Sequence, residues 1–318
     1  MGKPYKSAVI GLGRVGSSYP TTNMPRTHAG VYKVNSGTSL VSGVDRDALA
    51  RMAFSERWGN DIPVYSSVSE MLLKVQPDII SVCAHPLDLQ EIVEECMQSP
   101  PRLFFLEKPV FSNPDNAHQL SLKINSVPSA INYQRCWDPA HSRFFEQINA
   151  SGTTLAVRVI YNNGLFNYAS HLIALLIRYF GSVLRVTKLG NEIFDVSAKD
   201  SSPSFVLEFE PGFEAVFQGL DSLPYDMLEL EVVTTSGVYA LKSTGCRRRI
   251  DTPAEGAFYP NYTHLIEAPY SEPDAQVEGM TQAVDNIVNF LDGKTTELSC
   301  DLNLGLNVFD VLWKVKTL

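Results

Sequence analysis

Asn167 and His171 stand four residues apart in GLFNYASHLIALLIRYFG, residues 164–181, a segment otherwise made of core residues. Four residues is about one turn of α-helix, so the two side chains share a face. A histidine there can take a proton from a substrate hydroxyl, because its unperturbed pKa lies near neutrality. An asparagine beside it can orient the ring or bind a hydroxyl, but it exchanges no proton. Lys108 is the second candidate. In LEKPV, residues 106–110, two charges follow an apolar run directly, and Pro109 restrains the lysine before it. An ammonium held there can bond a substrate oxygen and stabilise negative charge on it. A core histidine and a surface ion pair are the plain alternatives for each residue taken alone.

A third group binds rather than reacts. GLGRVG, Gly11 to Gly16 with Arg14 and Val15 between, follows an apolar strand pattern. Gly11 permits a tight turn, Gly13 lets the backbone approach a pyrophosphate, and Gly16 permits close helix–strand packing. The helix N-terminus that follows would offer N–H groups and a positive dipole end to the phosphates. A glycine-rich turn with no ligand is the alternative. Asp45 ends the second strand pattern, where a carboxylate accepts from a ribose hydroxyl and repels a 2′-phosphate. That favours NAD, while Arg46 beside it keeps NADP open. Asp45 lies 29 residues after Gly16, beyond the usual roughly 20. The extra length sits in SSYPTTNMPRT, residues 17–27, where Pro20 and Pro25 would interrupt a helix. It reads equally as a plain loop and as part of a lid.

These residues need elements to hold them. Short apolar runs at 7–11, 39–45, 78–84, 103–106 and 130–133 predict strands covered on both faces. Helical patterns at 47–58, 68–75, 87–97 and 114–125 lie between them. The rhythm predicts an α/β fold with an N-terminal Rossmann doubly wound parallel sheet over residues 1–135. Ligands in such sheets bind outside the carboxyl ends of the strands, where the glycine loop, Ala84-His85-Pro86 and Glu107-Lys108-Pro109 converge. The expected cofactor set is therefore Gly11, Gly13, Arg14, Val15, Gly16, Asp45, Arg46, His85, Glu107 and Lys108. Residues 136–318 change character: helices at 139–150 and 164–181, then strands at 153–161, 183–189, 204–210, 214–219, 228–234 and 238–242. EPG at 210–212 and SG at 236–237 mark hairpin turns. The alternation of Leu228, Leu230 and Val232 with Glu229 and Glu231 predicts a large, mostly antiparallel open sheet with one covered face. Residues 252–273, rich in Pro and Tyr, predict a long surface loop, and helices follow at 276–291 and 304–315.

Composition excludes several classes. A net charge of −9 leaves no basic surface for nucleic acid, and the run Arg247-Arg248-Arg249 reads as a solvated strand end. No apolar run approaches the ~20 residues of a membrane span. The N-terminus shows no signal-peptide pattern. Five scattered cysteines have neither framework nor metal spacing, as expected of reduced thiols in a cytoplasm.

AVIGLGRVG, the EKP of 107–109, NYQRCWDP at 132–139 and NYASHLIALL at 167–176 occur in an order that resembles the Gfo/Idh/MocA family of glucose–fructose oxidoreductase and inositol dehydrogenase. The resemblance implies a Rossmann domain followed by an α/β domain whose open sheet forms a homodimer or homotetramer. It implies NAD or NADP and hydride transfer at a hydroxyl carbon of a sugar, polyol or nucleotide sugar. By the same resemblance Lys108 contacts the reacting hydroxyl, His171 is the acid/base, and Asn132, Tyr133 and Arg135 line the substrate side. The chain departs from the pattern at Asn167, which takes the place of an aspartate, at His85 and Gln90, and in the 17–27 insertion. Two other readings stay open: a redox-neutral lyase or hydrolase holding NAD tightly, and a non-catalytic nucleotide-binding regulator.

Overall fold

A computed structural model describes residues 3–20, 25–190, 200–220, 223–256, 261–272 and 278–318. Two compact units emerge: Met1–Asp138 with Val277–Leu306, and Pro139–Gln276 with Asn307–Leu318.

The first unit runs β1 (Tyr5–Ile10), α1 (His28–Val34), β2 (Thr38–Val44), α2 (Ala48–Trp58), β3 (Val64–Tyr65), α3 (Val68–Val75), β4 (Ile79–Val82), α4 (Pro86–Cys96), β5 (Leu103–Leu106), α5 (Pro114–Ile124), β6 (Ser129–Ile131) and α6 (Gln134–Trp137). The strands are parallel in the order β3-β2-β1-β4-β5-β6. The order reverses beside β1, which opens a crevice at the carboxyl ends of β1 and β4. Every residue of β4 and β5 is buried, as apolar runs between two helical layers should be. Helices begin where side chains take up free backbone N–H groups: Thr27 for α1, Asp47 for α2, Ser67 for α3 and Asn113 for α5. Sequence patterning missed α1 and β3. Seven and two residues long, they carry too little periodicity to register.

The second unit contains α7 (Pro139–Ala150), β7 (Thr154–Tyr161), a π-helical turn (Leu165–Ala169), α8 (Ser170–Phe180), β8 (Val183–Leu189), β9 (Ser204–Phe209), β10 (Glu214–Gly219), β11 (Leu228–Thr234), β12 (Gly237–Lys242), β13 (Arg247–Glu255) and β14 (Thr263–Ile266). Its sheet has the order β14-β13-β12-β11-β7-β10-β9-β8. Among the described residues only the β7–β10 pair of this sheet is parallel. One face is buried by Val157, Val159, Tyr161, Phe205, Phe217, Leu230 and Val232, with Phe205 and Phe217 stacked at 4.6 Å. The expected 252–273 loop is corrected: Thr252–Glu255 pair antiparallel with Thr263–Ile266. Pro253 looked like a loop signal, yet a proline is tolerated close to a sheet edge. The arginine run opens β13, and Arg249 bonds Asp251 at 3.0 Å, pairs with Glu267 and lies over the Tyr270 ring.

Two helices remain, α9 (Glu278–Leu291) and α10 (Leu302–Thr317). Consecutive domains of 1–135 and 136–318 would assign α9 to the second unit, but it belongs to the first. Asn35 Nδ2 donates to Asp285 at 2.7 Å, and the Ile131 N–H donates to the Cys300 carbonyl at 2.8 Å. No helix among the described residues is long and apolar enough to cross a membrane.

Candidate nucleotide site and reactive groups

The glycine loop leaves β1 with Gly11 at φ +88°, a conformation that favours glycine. A Cβ on Gly11 would lie 2.7 Å from the Cys83 carbonyl, and one on Gly16 would collide with the Gly11 carbonyl. Packing therefore explains both glycines. Gly13 differs: a Cβ there would meet nothing within 4 Å, and its φ of −67° suits any residue. The space in front of Gly13 is open and belongs to a cavity of about 400 Å³ at the carboxyl ends of β1, β2 and β4.

The helix expected after the loop is a single π-helical turn, Arg14–Ser18. So short a turn carries little macrodipole, and the loop's own N–H groups are the phosphate donors it can offer. The chain behind it is tied to α2. Trp58 Nε1 donates to Ser17 at 2.9 Å, and Arg57 donates to the Tyr19 carbonyl at 3.0 Å. Arg14 turns over the Tyr19 ring. Residues 21–24 of the insertion lie outside the described residues.

Asp45 lines the cavity and braces it. One carboxylate oxygen accepts from the Leu12 N–H at 2.7 Å and the other from the Asp47 N–H at 2.9 Å. Arg46 also lines it and reaches Glu91 at 3.5 Å and Asp88 at 4.0 Å. Glu95 completes a wall of four carboxylates around one guanidinium. His85 lines the cavity and caps α4, its Nδ1 accepting from the Leu87 N–H at 3.3 Å. Gln90 points to structural partners, Glu94 and Gln119, and accepts from Asn116 at 2.7 Å. Burial, helped by the Glu107 carboxylate, pushes the Cys83 thiol up, so it is no nucleophile at neutral pH. Sequence reasoning missed Ser66, Ser67, Asp88, Glu91 and Glu95. They sit on other helices and loops, and only the strand order gathers them.

The remaining expected cofactor residues, Arg14, Val15, Gly16, Glu107 and Lys108, do not line this cavity. Glu107 is turned inward, accepting from buried His28 at 2.9 Å and from Asn132 Nδ2. Glu107 and Asn132 thus hold each other within the unit. Asn132 and Tyr133 are 1 % and 3 % exposed, and burial raises the Tyr133 phenol well above its ordinary range. Arg135, in α6, is half-buried. Lys108, also half-buried, precedes a cis Lys108–Pro109 peptide bond.

In the second unit, Asn167 is exposed on the π-helical turn and His171 is half-buried in the first turn of α8. Leu165, Ala169, Leu172, Leu176 and Phe180 are buried along one stripe, as a segment made mostly of core residues requires. Ser170 is buried too, its hydroxyl donating to the Phe166 carbonyl at 2.7 Å. The polar face is thus narrower than its composition suggests. Although position 167 lacks a carboxylate side chain, one reaches its backbone. Asp200 accepts from the Phe166 N–H at 3.1 Å and the Asn167 N–H at 2.8 Å. Sequence reasoning had no means of finding it, since it lies 33 residues away.

A family model described as "Oxidoreductase family, NAD-binding Rossmann fold" matches residues 5–127. No curated protein matches the chain in sequence. Among solved structures, a UDP-N-acetylglucosamine 3-dehydrogenase from Acidithiobacillus ferrooxidans superposes with a TM-score of 0.77 at 15% identity, covering 99% of this chain and 97% of that one. An oxidoreductase from Agrobacterium radiobacter, in complex with NAD+, L-tartaric acid and magnesium, gives 0.77 at 14% identity over 99% and 97%. A dehydrogenase from Chromobacterium violaceum gives 0.77 at 17% identity over 98% and 94%. At these identities the likeness is one of fold. Residues 5–127 are thus similar to the NAD-binding Rossmann domain of the Gfo/Idh/MocA family of oxidoreductases.

Proposed function

We propose that the chain is an NAD-dependent oxidoreductase that transfers a hydride between the nicotinamide and a hydroxyl or keto carbon of a sugar, polyol or nucleotide sugar. The observation that carries the nucleotide reading is Gly13. Its identity answers no packing demand of the protein, but it opens onto a cavity with a ribose-binding carboxylate at its wall. A volume of about 400 Å³ suits one end of a dinucleotide. NAD is favoured over NADP because Asp45, Asp88, Glu91 and Glu95 would all repel a 2′-phosphate. Arg46, the one arginine or lysine among the described residues lining the cavity, already pairs with two of them. A sugar substrate is supported by the fold shared with the UDP-N-acetylglucosamine 3-dehydrogenase.

When bound, the nicotinamide supplies the hydride acceptor. Lys108 bonds the reacting hydroxyl and stabilises negative charge on its oxygen, and His171 takes its proton. Asn167 orients the imidazole or a neighbouring substrate hydroxyl, and Arg135 binds substrate. The cytoplasm is the proposed compartment, in keeping with five free cysteines. We also propose a homo-oligomer through the outer face of the eight-stranded sheet, where Ile160, Val206, Val216 and Val233 stay half-buried.

The test is turnover on a panel of sugars, polyols and nucleotide sugars. Lys108→Ala and His171→Ala each lower kcat at least ~100-fold with NAD affinity barely changed. Near-wild-type rates in both variants would sink the assignment. Substrate conversion without net reduction of the nicotinamide would instead establish redox-neutral chemistry, and NAD binding without any turnover a regulator.

A further inference from the structure

Glu107 stands between the sheet and Lys108, and both its ends are fixed. Its N–H donates to the Val82 carbonyl at 3.0 Å, and its carboxylate, 13% exposed, accepts from His28 and Asn132. His28 is wholly buried at the start of α1, against the Phe105 ring at 4.5 Å. Its second ring nitrogen, Nδ1, meets Ser81 Oγ on β4 at 2.7 Å, and the same hydroxyl meets the Tyr32 hydroxyl at 2.7 Å. Burial holds the Tyr32 phenol far above its ordinary range, so it remains a hydroxyl.

One directional arrangement gives each hydrogen a partner. Tyr32 donates to Ser81, Ser81 donates to His28 Nδ1, and His28 Nε2 donates to Glu107, which also accepts from Asn132. The imidazole is thus oriented at both nitrogens and cannot turn without leaving buried polar groups unsatisfied. We propose that His28 is a positioning residue for Lys108: through Glu107 it fixes where the chain after β5 presents the lysine. The inference rests on the role given to Lys108 above. The network meets α1 at its first helical residue, His28, directly after the Thr27 cap.

Two substitutions separate the links. Glutamine carries an amide near the place of Nε2 and keeps the bond to Glu107, whereas asparagine carries one near Nδ1 and loses it. Hydrogen–deuterium exchange on peptides spanning 104–111, read in the full chain, reports the positioning without needing turnover. We expect His28→Asn to speed exchange there at least ~10-fold, while His28→Gln stays within ~3-fold of wild type. On any panel substrate that the wild type oxidises, His28→Asn lowers kcat by at least ~10-fold with NAD affinity unchanged, and His28→Gln restores most of it. Equal behaviour of the two variants, or wild-type exchange in His28→Asn, overturns the role. If His28→Asn loosens the segment but the wild type converts nothing, the positioning stands and the hydride-transfer reading falls. Should His28→Asn fail to fold, Ser81→Ala removes the hydroxyl that orients Nδ1 at little change in volume. It must speed exchange in the same peptides, and no change there overturns the proposal.

Discussion

Each oxygen of Asp45 accepts one backbone N–H and keeps a lone pair for a second donor. A ribose diol is such a donor, so Asp45→Ala should weaken NAD about tenfold, roughly the 1.4 kcal/mol of one net hydrogen bond. NADP should weaken less, because one of the repelling charges is gone. Fluorescence titration with both nucleotides checks this, and an unchanged NAD:NADP ratio would discard the role. Asp45 was legible because a carboxylate ending a buried strand is conspicuous. Asp88 and Glu91 were not, since acids three apart on an amphipathic helix look like an ordinary solvated face. His28 was hidden for a different reason: nothing near it in sequence marks it, and its partners Ser81 and Glu107, with Asn132 bonded to Glu107, come from the ends of three strands.

Among elements, the parallel strands announced themselves as apolar runs, and the second sheet by alternation that survives in the buried residues of β9 to β11. Long-range pairing did not. It made paired strands of residues 252–255 and 263–266, where local composition argued for a loop. The helix that carries His171 illustrates the same limit. The π-helical turn that leads into it is capped from outside by Asp200, while Gly164 and Leu165 donate to Ser202 Oγ and the Ser201 carbonyl. Asp200→Ala should cost about 1–2 kcal/mol, as for other lost N-terminal caps. Asp200→Asn, retaining one acceptor, should cost about half. Urea unfolding midpoints measure both, and an unshifted midpoint in the alanine variant would show that the cap contributes nothing.

At the scale of the whole molecule, buried acids set the alkaline limit of stability. Burial raises Tyr32, Tyr133 and Tyr161 above the phenol value of 10.0, and takes Cys96 from 9.0 to about 12. The unfolded chain therefore gives up protons that the native state keeps. Their stabilising contribution is full below pH 9 and is lost as pH rises past the unfolded values. Each group steepens the fall by about 1.4 kcal/mol per pH unit. Urea midpoints should drop progressively from about pH 9 to 11, and Tyr161→Phe should flatten the drop by one group's share. A profile flat across that window would contradict the burial of these groups.

The return of residues 277–306 to the first unit also has a consequence in time. A ribosome finishes β6 and must then make about 140 more residues before α9 emerges. At synthesis rates of roughly 5–20 residues per second, that delay is on the order of ten seconds. Throughout it, the nascent nucleotide domain lacks the helix that supplies Val288 against Gly37 and Asp285 for Asn35. The newborn polypeptide is thus most open to chaperones and proteases while residues 139–276 are being translated, and the domain whose pattern starts first closes only after them.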